Sequence, residues 1–253
     1  MAEEEGHFYE EDSAGYLMSV SDMMAGLLFV FILTLTAFII SFQAARDEAK
    51  TAVSDLTDAQ MMRQQMLQQI QTTLKEKYQV QVQVDTKHGI LRLTEKALSF
   101  PTGKANLPQD ELEKLRAIAS VLADVVPCYA ANAPSDCEAA KEGELEAAFI
   151  EGHTDNVPIG NSRFADNLEL STARAAFTYR QLTGYQKELG SLINIQGQPV
   201  FSVSGYGANR PVNAHSEPTP DPANRRIDLR FIMAPPSVDS NQVVKELQNE
   251  GAK

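Results

Sequence analysis

The sequence contains little cysteine and little positive charge. Two cysteines in 253 residues are too few for a disulfide scaffold or a four-cysteine zinc site, although a single disulfide remains possible. Lys and Arg together number 22 against 34 Asp and Glu, which gives a formal net charge of −12 and a pI near 4.8. Because nucleic-acid binding depends on clustered Lys and Arg that neutralise phosphates, we expect no nucleic acid among the partners.

Lys and Arg are absent from the first 45 residues. An acidic tail, residues 1–16, precedes residues 17–45, where Asp22 is the only ionisable side chain. Residues 23–42 are twenty consecutive uncharged residues, the length an α-helix needs to cross the roughly 30 Å hydrocarbon core of a bilayer. The sequence therefore predicts one transmembrane helix over 17–45.

A cleaved signal peptide is the alternative interpretation of this apolar segment. The segment Gln43-Ala44-Ala45 offers small residues near a possible cleavage point. A signal peptide would, however, begin with a basic region and contain a shorter apolar stretch, whereas this tail is acidic. The pattern favours a retained membrane anchor.

A helix-forming segment follows the apolar segment. Residues 46–78 contain neither Gly nor Pro and are rich in Ala, Gln, Met, Lys and Glu. Apolar residues follow a 3–4 spacing at Val53, Leu56, Leu67, Ile70 and Leu74. Because Gln60 and Arg63 interrupt this seam, we predict a stalk or linker helix rather than a strong autonomous coiled coil. Pairing in a dimer and a solvated spacer are both compatible with the pattern.

From residue 79 onward, strand patterns alternate with helix patterns. A hairpin with its turn at 86–89 is followed by a helix over 108–126, a strand over 147–151, a helix over 171–182 and strands over 200–205 and 226–233. This order predicts an α/β sandwich domain over 79–234, with helices packed on a mixed sheet. The polar tail, residues 235–253, is expected to be peripheral.

Ordered motifs in this region resemble the OmpA-like peptidoglycan-binding domain. The motifs are Phe100-x-x-Gly103-x-x-x-Leu107, Gly152-His153-Thr154-Asp155, Asn167-x-x-Leu170-Ser171-x-x-Arg174-Ala175, Gly205-Tyr206-Gly207 with Pro211, and Asn224-Arg225-Arg226. The resemblance covers residues 79–234. The loop before Asn224 departs from the family pattern, since it carries three prolines where a Gly-Arg pair is common.

The resemblance implies a site for the diaminopimelate stem peptide of peptidoglycan. That side chain carries an ammonium and a carboxylate, which an Asp and an Arg would match, the Arg through bidentate hydrogen bonds. Asp155 and Arg174 are the implied ligand pair, surrounded by Thr154, Asn167, Leu170 and Arg225. Asn167 and Ser171 are expected to cap the helix that carries Arg174. An internal Asp155–Arg174 salt bridge that only holds the helix is the structural alternative.

We expect no enzyme active site, cofactor or metal site. His153 lies next to Asp155, but the sequence offers no third ligand at metal-binding spacing. No set of nucleophile, base and orienting group is recognisable, and no Gly-rich phosphate loop precedes a helix. The chain is therefore expected to bind rather than to catalyse.

Peptidoglycan lies in the bacterial periplasm, which fixes the implied orientation. The domain would be periplasmic and the acidic tail cytoplasmic, even though Arg46 and Lys50 after the helix favour the opposite by the positive-inside rule. The periplasm is oxidising, so Cys128 and Cys137 form a plausible disulfide, worth ~2.7 kcal/mol in the chain-entropy model. Two free thiols are the alternative.

Asp22 lies near the start of the apolar segment. A carboxylate in hydrocarbon costs at least ~2.5 kcal/mol on insertion scales, so an intramembrane acid is a functional hypothesis by default. Helical spacing places Gly15, Ser19 and Gly26 on its face, where small residues let other helices approach. An interfacial Asp that only reaches the headgroups is the alternative.

The order of tail, helix with a carboxylate, stalk and OmpA-like domain is similar to the B subunits of ion-driven stators, the MotB family. Ser21-Asp22-Met23-Met24 fits the helix of that family, and Asp22 would be the ion-carrying carboxylate. The acidic tail and Ser19-Val20-Ser21 before the Asp depart from flagellar MotB and resemble ZorB, the MotB-like subunit of the Zorya anti-phage defence system.

The ZorB resemblance implies an inner-membrane motor. A homodimer would sit inside a ring of five ZorA-like subunits and pass protons, or Na⁺, by way of Asp22. In Zorya, this motor would signal invasion to effectors that attack phage DNA. A flagellar stator subunit and a passive membrane-to-wall anchor without conduction are the alternatives.

Overall fold

The computed structural model describes residues 8–135, 137, 145–160 and 163–234. The predicted tail 235–253 and the first seven residues of the acidic tail lie outside this description. The chain divides into two compact units, Met1–Asp55 and Leu56–Lys253. One helix, α1 (Phe8–Tyr78), contributes residues to both units.

The first unit is helical over its described part. Within it, Val20–Lys50 is the one segment of the described chain that is long and apolar enough to cross a membrane. Its large apolar side chains are exposed in the single chain. The hydroxyls of Thr34, Thr36 and Ser41 donate to backbone carbonyls three or four residues earlier, at 2.7 to 2.9 Å. Such internal pairing suits a hydrocarbon environment, where water cannot satisfy polar groups.

The second unit begins inside helix α1. Met66, Leu67, Ile70 and Leu74 are fully buried and belong to the main hydrophobic core of this unit. The compact domain therefore starts at Leu56, whereas the sequence pattern placed its boundary at residue 79. The physical reason is that the 3–4 apolar seam packs on the core of its own chain.

Helix α1 ends by a change of backbone direction. Gln79 adopts a left-handed conformation, with φ of 57°, and the Val80 amide donates to the Leu74 carbonyl at 3.0 Å. Both Val80 and Leu74 are buried, so the chain returns directly into the core. This reversal brings the chain to the first strand.

A five-stranded mixed sheet forms the centre of the domain. Its strands are β1 (Gln83–Asp85), β2 (Ile90–Thr94), β3 (Leu145–His153), β4 (Phe201–Gly205) and β5 (Arg226–Met233). The order across the sheet is β1-β2-β5-β3-β4; only β3 and β4 are parallel, and the other neighbours are antiparallel. The last of the described strands is thus central, between the hairpin and β3.

Beyond α1, the described part of the domain contains two α-helices and two short 3-10 helices. They are α2 (Gln109–Val125), Val126–Tyr129, α3 (Asn167–Tyr185) and Lys187–Ser191. Pro127 lies in the first turn of Val126–Tyr129, because proline cannot continue the α2 hydrogen-bond ladder. Helices packed on a mixed sheet agree with the predicted fold class.

Helix α3 lies directly against the sheet at two glycines. A methyl group on Gly152 would overlap the carbonyl oxygen of Ser171, and one on Gly205 would overlap the side chain of Thr172. Only glycine allows this close approach. It fixes the position of α3, and therefore of Arg174, relative to the ends of β3 and β4.

Candidate functional site

Most of the predicted ligand residues lie next to the ends of strands, and Arg174 lies within a helix. Thr154 and Asp155 follow β3, Arg225 immediately precedes β5, and Arg174 lies on α3. Arg226, the first residue of β5, pairs with Thr94 on β2 and with His153 on β3. Arg225, one residue earlier, therefore lies between the two strands that flank β5. On one side of Arg225 this register places Glu95, and on the other side Thr154 and Asp155.

Arg225 connects two carboxylates. Its Nη1 donates to Asp155 Oδ2 at 2.6 Å, and its Nε and Nη2 donate to the two oxygens of Glu95. Hydrogen bonding to Glu95, and then to Asp155, raises the pKa of the Arg225 guanidinium above its usual value. Glu95 belongs to no motif in the sequence, and only the β2–β5 register reveals it.

Arg174 contacts carbonyls instead of a carboxylate. Its Nε donates to the Lys104 carbonyl at 2.9 Å, its Nη2 donates to the Pro101 carbonyl at 3.1 Å, and its guanidinium lies 5.1 Å from the centre of the Phe100 ring. Among the described residues it makes no salt bridge, so the alternative of an internal Asp155–Arg174 pair is wrong. Burial, and then the charge of Arg225, lowers the pKa of Arg174 to about 10.

Asn167 and Ser171 connect α3 to loops and do not cap it. The N-cap is Asp166, whose side chain accepts a hydrogen bond from the Glu169 amide at 2.8 Å. The predicted capping by Asn167 and Ser171 is therefore wrong. Asn167 Nδ2 donates to the Asp155 and Val157 carbonyls at 3.3 and 2.9 Å. The Ser171 hydroxyl accepts the Gly207 amide at 2.9 Å. Asp166 is the N-cap because it directly precedes the first helical residue.

Thr154 and Leu170, two further predicted ligand residues, are both buried. Thr154 is 3% exposed, and its Oγ1 has no hydrogen-bond partner among the described residues. Leu170 packs with Ala105 and Phe164 in a small second hydrophobic cluster. The site thus contains a buried hydroxyl without a hydrogen-bond partner among the described residues, and a separate apolar cluster.

The Pro-rich loop contributes one further residue, Asp221. Its amide donates to Asp155 Oδ2 at 3.3 Å, and its own carboxylate lies 2.8 Å from His215 Nε2. Hydrogen bonds from His215 and Asn213 lower the pKa of Asp221 to about 2. Sequence reasoning treated this segment as a surface loop, and no local signal distinguishes Asp221 from other loop acids.

The charges of Glu95, Asp155, Arg174 and Arg225 balance, while the carboxylate of Asp221 contacts His215 instead. Glu95 and Asp155 supply two carboxylates, Arg174 and Arg225 supply two guanidiniums, and the electrostatic influence of all three partners acts on Arg174. A ligand group that carries both an ammonium and a carboxylate matches such an arrangement, the former at the acids and the latter at the guanidiniums.

The two cysteines follow α2 in the chain. Cys128 and Cys137 are joined in a disulfide, with 5.5 Å between their Cα atoms. The bond closes the segment 128–137, which begins within Val126–Tyr129.

His153 lies in a group of possible metal ligands that the sequence did not reveal and that does not include Asp155. Glu151, His153 and Asp228 are all buried, and their candidate ligand atoms lie within 4.8 Å of one another. Arg230 already donates to both oxygens of Glu151, and Arg92 and Arg226 donate to Asp228. Three guanidiniums against two carboxylates make this group electrostatically unsuited to a cation.

Asp22 lies on helix α1 within Val20–Lys50 and is exposed in the single chain. It belongs to the first compact unit, whereas the Asp155 site belongs to the second.

Comparison with known proteins gives distant similarity to MotB-type proteins. No protein-family model matches the chain. The chain is 27% identical over 167 residues to Motility protein B of Bacillus subtilis, which covers 65% of this chain. It is 23% identical over 242 residues to the uncharacterized protein YtxE of the same organism, which covers 87% of this chain and 88% of that protein. The periplasmic domain of Helicobacter pylori MotB matches with a TM-score of 0.42 and 21% identity, over 64% of this chain and 85% of that chain.

The chain aligns with about half of Motility protein B, 54% of its length. In sequence, the chain is therefore similar to MotB-type proteins, and it combines an apolar N-terminal helix with helices packed on a mixed sheet.

Proposed function

We propose that the chain is a MotB-like, peptidoglycan-anchored B subunit of an ion-driven membrane motor, with no enzymatic activity. The observation that carries the proposal is the meeting of Asp155, Arg174 and Arg225 with Glu95 at the ends of β2 and β3. Similarity to Motility protein B supports the same class of protein.

The ligand is a peptidoglycan stem peptide that carries diaminopimelate. Its ammonium binds Asp155 and Glu95, and its carboxylate binds Arg174 and Arg225. Thr154 supplies a hydroxyl, since its buried Oγ1 has no partner among the described residues. Leu170 forms part of an apolar wall, and Asn167 holds the loop after β3 in place through hydrogen bonds to its carbonyls.

The apolar helix anchors this domain to the inner membrane, with the N-terminus in the cytoplasm. Asp22 carries the ion, a proton or Na⁺, between a homodimer of this chain and a ring of membrane subunits. The length and apolar composition of Val20–Lys50 support the anchor, and the position of Asp22 within it supports the ion-carrying role.

The finer form of the proposal is a ZorB-type role in anti-phage defence, with five ZorA-like subunits as partners. The acidic tail and Ser19-Val20-Ser21 before Asp22 support it. Similarity to Motility protein B favours the second candidate, a flagellar stator subunit. Deleting the gene in its native host separates the two, since loss of phage protection supports defence and loss of swimming supports the flagellar role.

Sedimentation of the full chain with purified peptidoglycan, in detergent, tests the anchoring site. We expect Asp155→Asn and Arg174→Ala to abolish co-sedimentation. Asp110→Asn, on the exposed first turn of α2, is the matched control and should bind normally. Unchanged binding by both site variants would reject the site.

A further inference from the structure

The second face of the sheet carries a charged cluster away from the hydrophobic core. In β5, Ile227, Leu229 and Phe231 belong to the core, so Arg226, Asp228 and Arg230 point to the opposite face. Register places Asp228 between Arg92 on β2 and Glu151 on β3. This cluster is separate from the Asp155 site.

A cavity of about 310 Å³ opens on this cluster. Buried Arg226, Asp228 and His153 form its floor, and exposed Arg210 stands at its rim. Arg92 and Arg230 also line it. A volume of this size admits a small organic ligand or the charged end of a polymer.

Positive charge is in excess at the cavity. Asp228 accepts from both Arg92 and Arg226, and Glu151 accepts from Arg230, so these two acids offset only part of four guanidiniums. The lining acid Asp85 is paired with His88 at 2.8 Å. Within the described chain no carboxylate contacts Arg210, whose guanidinium lies 4.0 Å from the centre of the Tyr206 ring.

His153 adds an unused hydrogen-bonding group. It is 2% exposed, and neither ring nitrogen has a hydrogen-bond partner among the described residues. Its ring stacks on Tyr206, with 5.3 Å between ring centres, so Arg210, Tyr206 and His153 form a stack beside the cavity. Its Nε2 lies 3.7 Å from Asp228 Oδ2, beyond hydrogen-bond distance. A buried polar ring without a hydrogen-bond partner costs free energy, which a ligand that accepts a hydrogen bond from its N–H would recover.

We propose that this cavity binds an oxyanion, a phosphate group or a carboxylate, between Arg210, Arg92 and His153. Guanidiniums with unused N–H groups favour oxyanions, to which they donate paired hydrogen bonds. The excess of guanidiniums over carboxylates excludes a cation in the same place. The site is independent of the proposed peptidoglycan contacts at Asp155.

Isothermal titration of the full chain with inorganic phosphate tests the proposal. Arg174→Ala serves as the background, because it leaves the other site with one guanidinium between two carboxylates, which does not attract phosphate. We expect saturable binding, weakened about tenfold or more by Arg210→Gln and partly restored by Arg210→Lys. Arg180→Gln, which removes an exposed arginine from α3, is the matched control and should bind like the background.

A parallel titration with soluble muropeptide, which carries carboxylates, identifies the source of the anion. Binding of phosphate alone, sensitive to Arg210→Gln, assigns the cavity to free phosphate groups. Muropeptide binding with the same sensitivity assigns it to carboxylates of the cell wall. If neither titration responds to Arg210→Gln in a variant that unfolds like wild type, the proposal is overturned.

Discussion

Asp155 pairs with Arg225 at 2.6 Å, across the start of the central strand, and not with Arg174 on the neighbouring helix. Arg225 also binds Glu95, so a single guanidinium links two carboxylates, one after the end of β2 and one after the end of β3. Arg174 supplies the second guanidinium, so these four side chains carry no net charge without a ligand. A zwitterionic ligand would exchange one set of charge-assisted hydrogen bonds for another.

Glu95 is expected to contribute to peptidoglycan binding. Glu95→Gln removes its charge and weakens its hold on Arg225, so the affinity for soluble muropeptide should fall about tenfold, as measured by isothermal titration. The matched control is Glu113→Gln, which changes an exposed acid on α2. Equal affinities for the two variants would remove Glu95 from the site.

The approach of α3 to β3 depends on Gly152. Gly152→Ala forces a methyl group against the Ser171 carbonyl, so the free energy of unfolding should fall by about 1–3 kcal/mol or more in urea titrations. Gly184→Ala is the control: nothing lies within 4 Å of the added carbon, and alanine favours helix. That variant should be as stable as wild type or slightly more stable. A neutral Gly152→Ala would show that α3 does not need this contact.

His153 should make the domain less stable in mild acid. Burial, and then the charges of Arg226, Arg92 and Arg210, lowers its pKa to about 3, against 6.5 for an ordinary histidine. Between these values the unfolded chain binds a proton that the folded chain does not. Stability therefore falls as the pH drops from about 6.5 toward 3, by at most about 1.4 kcal/mol per pH unit.

The variant His153→Phe keeps a ring beside Tyr206 but cannot titrate. Urea titrations of the full chain should show parallel stability curves for variant and wild type above about pH 7.5. Below about pH 6.5, the wild type should lose stability more steeply. Identical slopes below that pH would mean that His153 is protonated in the folded state.

The disulfide between Cys128 and Cys137 should stabilise the domain. Replacing both cysteines with serine should lower the free energy of unfolding by ~2.7 kcal/mol, since the bond closes a short loop in the unfolded chain. Dithiothreitol should reproduce this loss in the wild type and leave the double variant unchanged. A wild type insensitive to the reductant would contradict a stabilising role.

The sequence predicted most elements but not their pairing. The alternation in Arg226–Met233 identified β5 with its observed bounds, and the spacing from 171 to 182 identified most of α3. Nothing local, however, specifies which strands flank β5. For that reason Glu95 was missed, and the pairing of Arg225 with Asp155 was not predicted.

The start of the domain also differs from the sequence-based prediction, because of the apolar seam of α1. Spacing at Leu67, Ile70 and Leu74 is the same whether the partner is a second helix or the core of the chain's own domain. Only the tertiary structure identifies the partner, and it makes residues 56–78 part of the domain.

Cation uptake by membrane vesicles tests the central claim, that Asp22 carries ions in a motor subunit, most directly. The chain is co-expressed with a candidate ring subunit from the same genome, and H⁺ and Na⁺ uptake are measured at equal protein levels. Asp22→Asn keeps the shape but cannot bind a proton, so uptake should be lost while peptidoglycan binding and complex assembly persist. Asp47→Asn, outside the twenty-residue uncharged run, is the control and should conduct normally. Wild-type uptake by Asp22→Asn would contradict the account and leave a wall-binding membrane anchor.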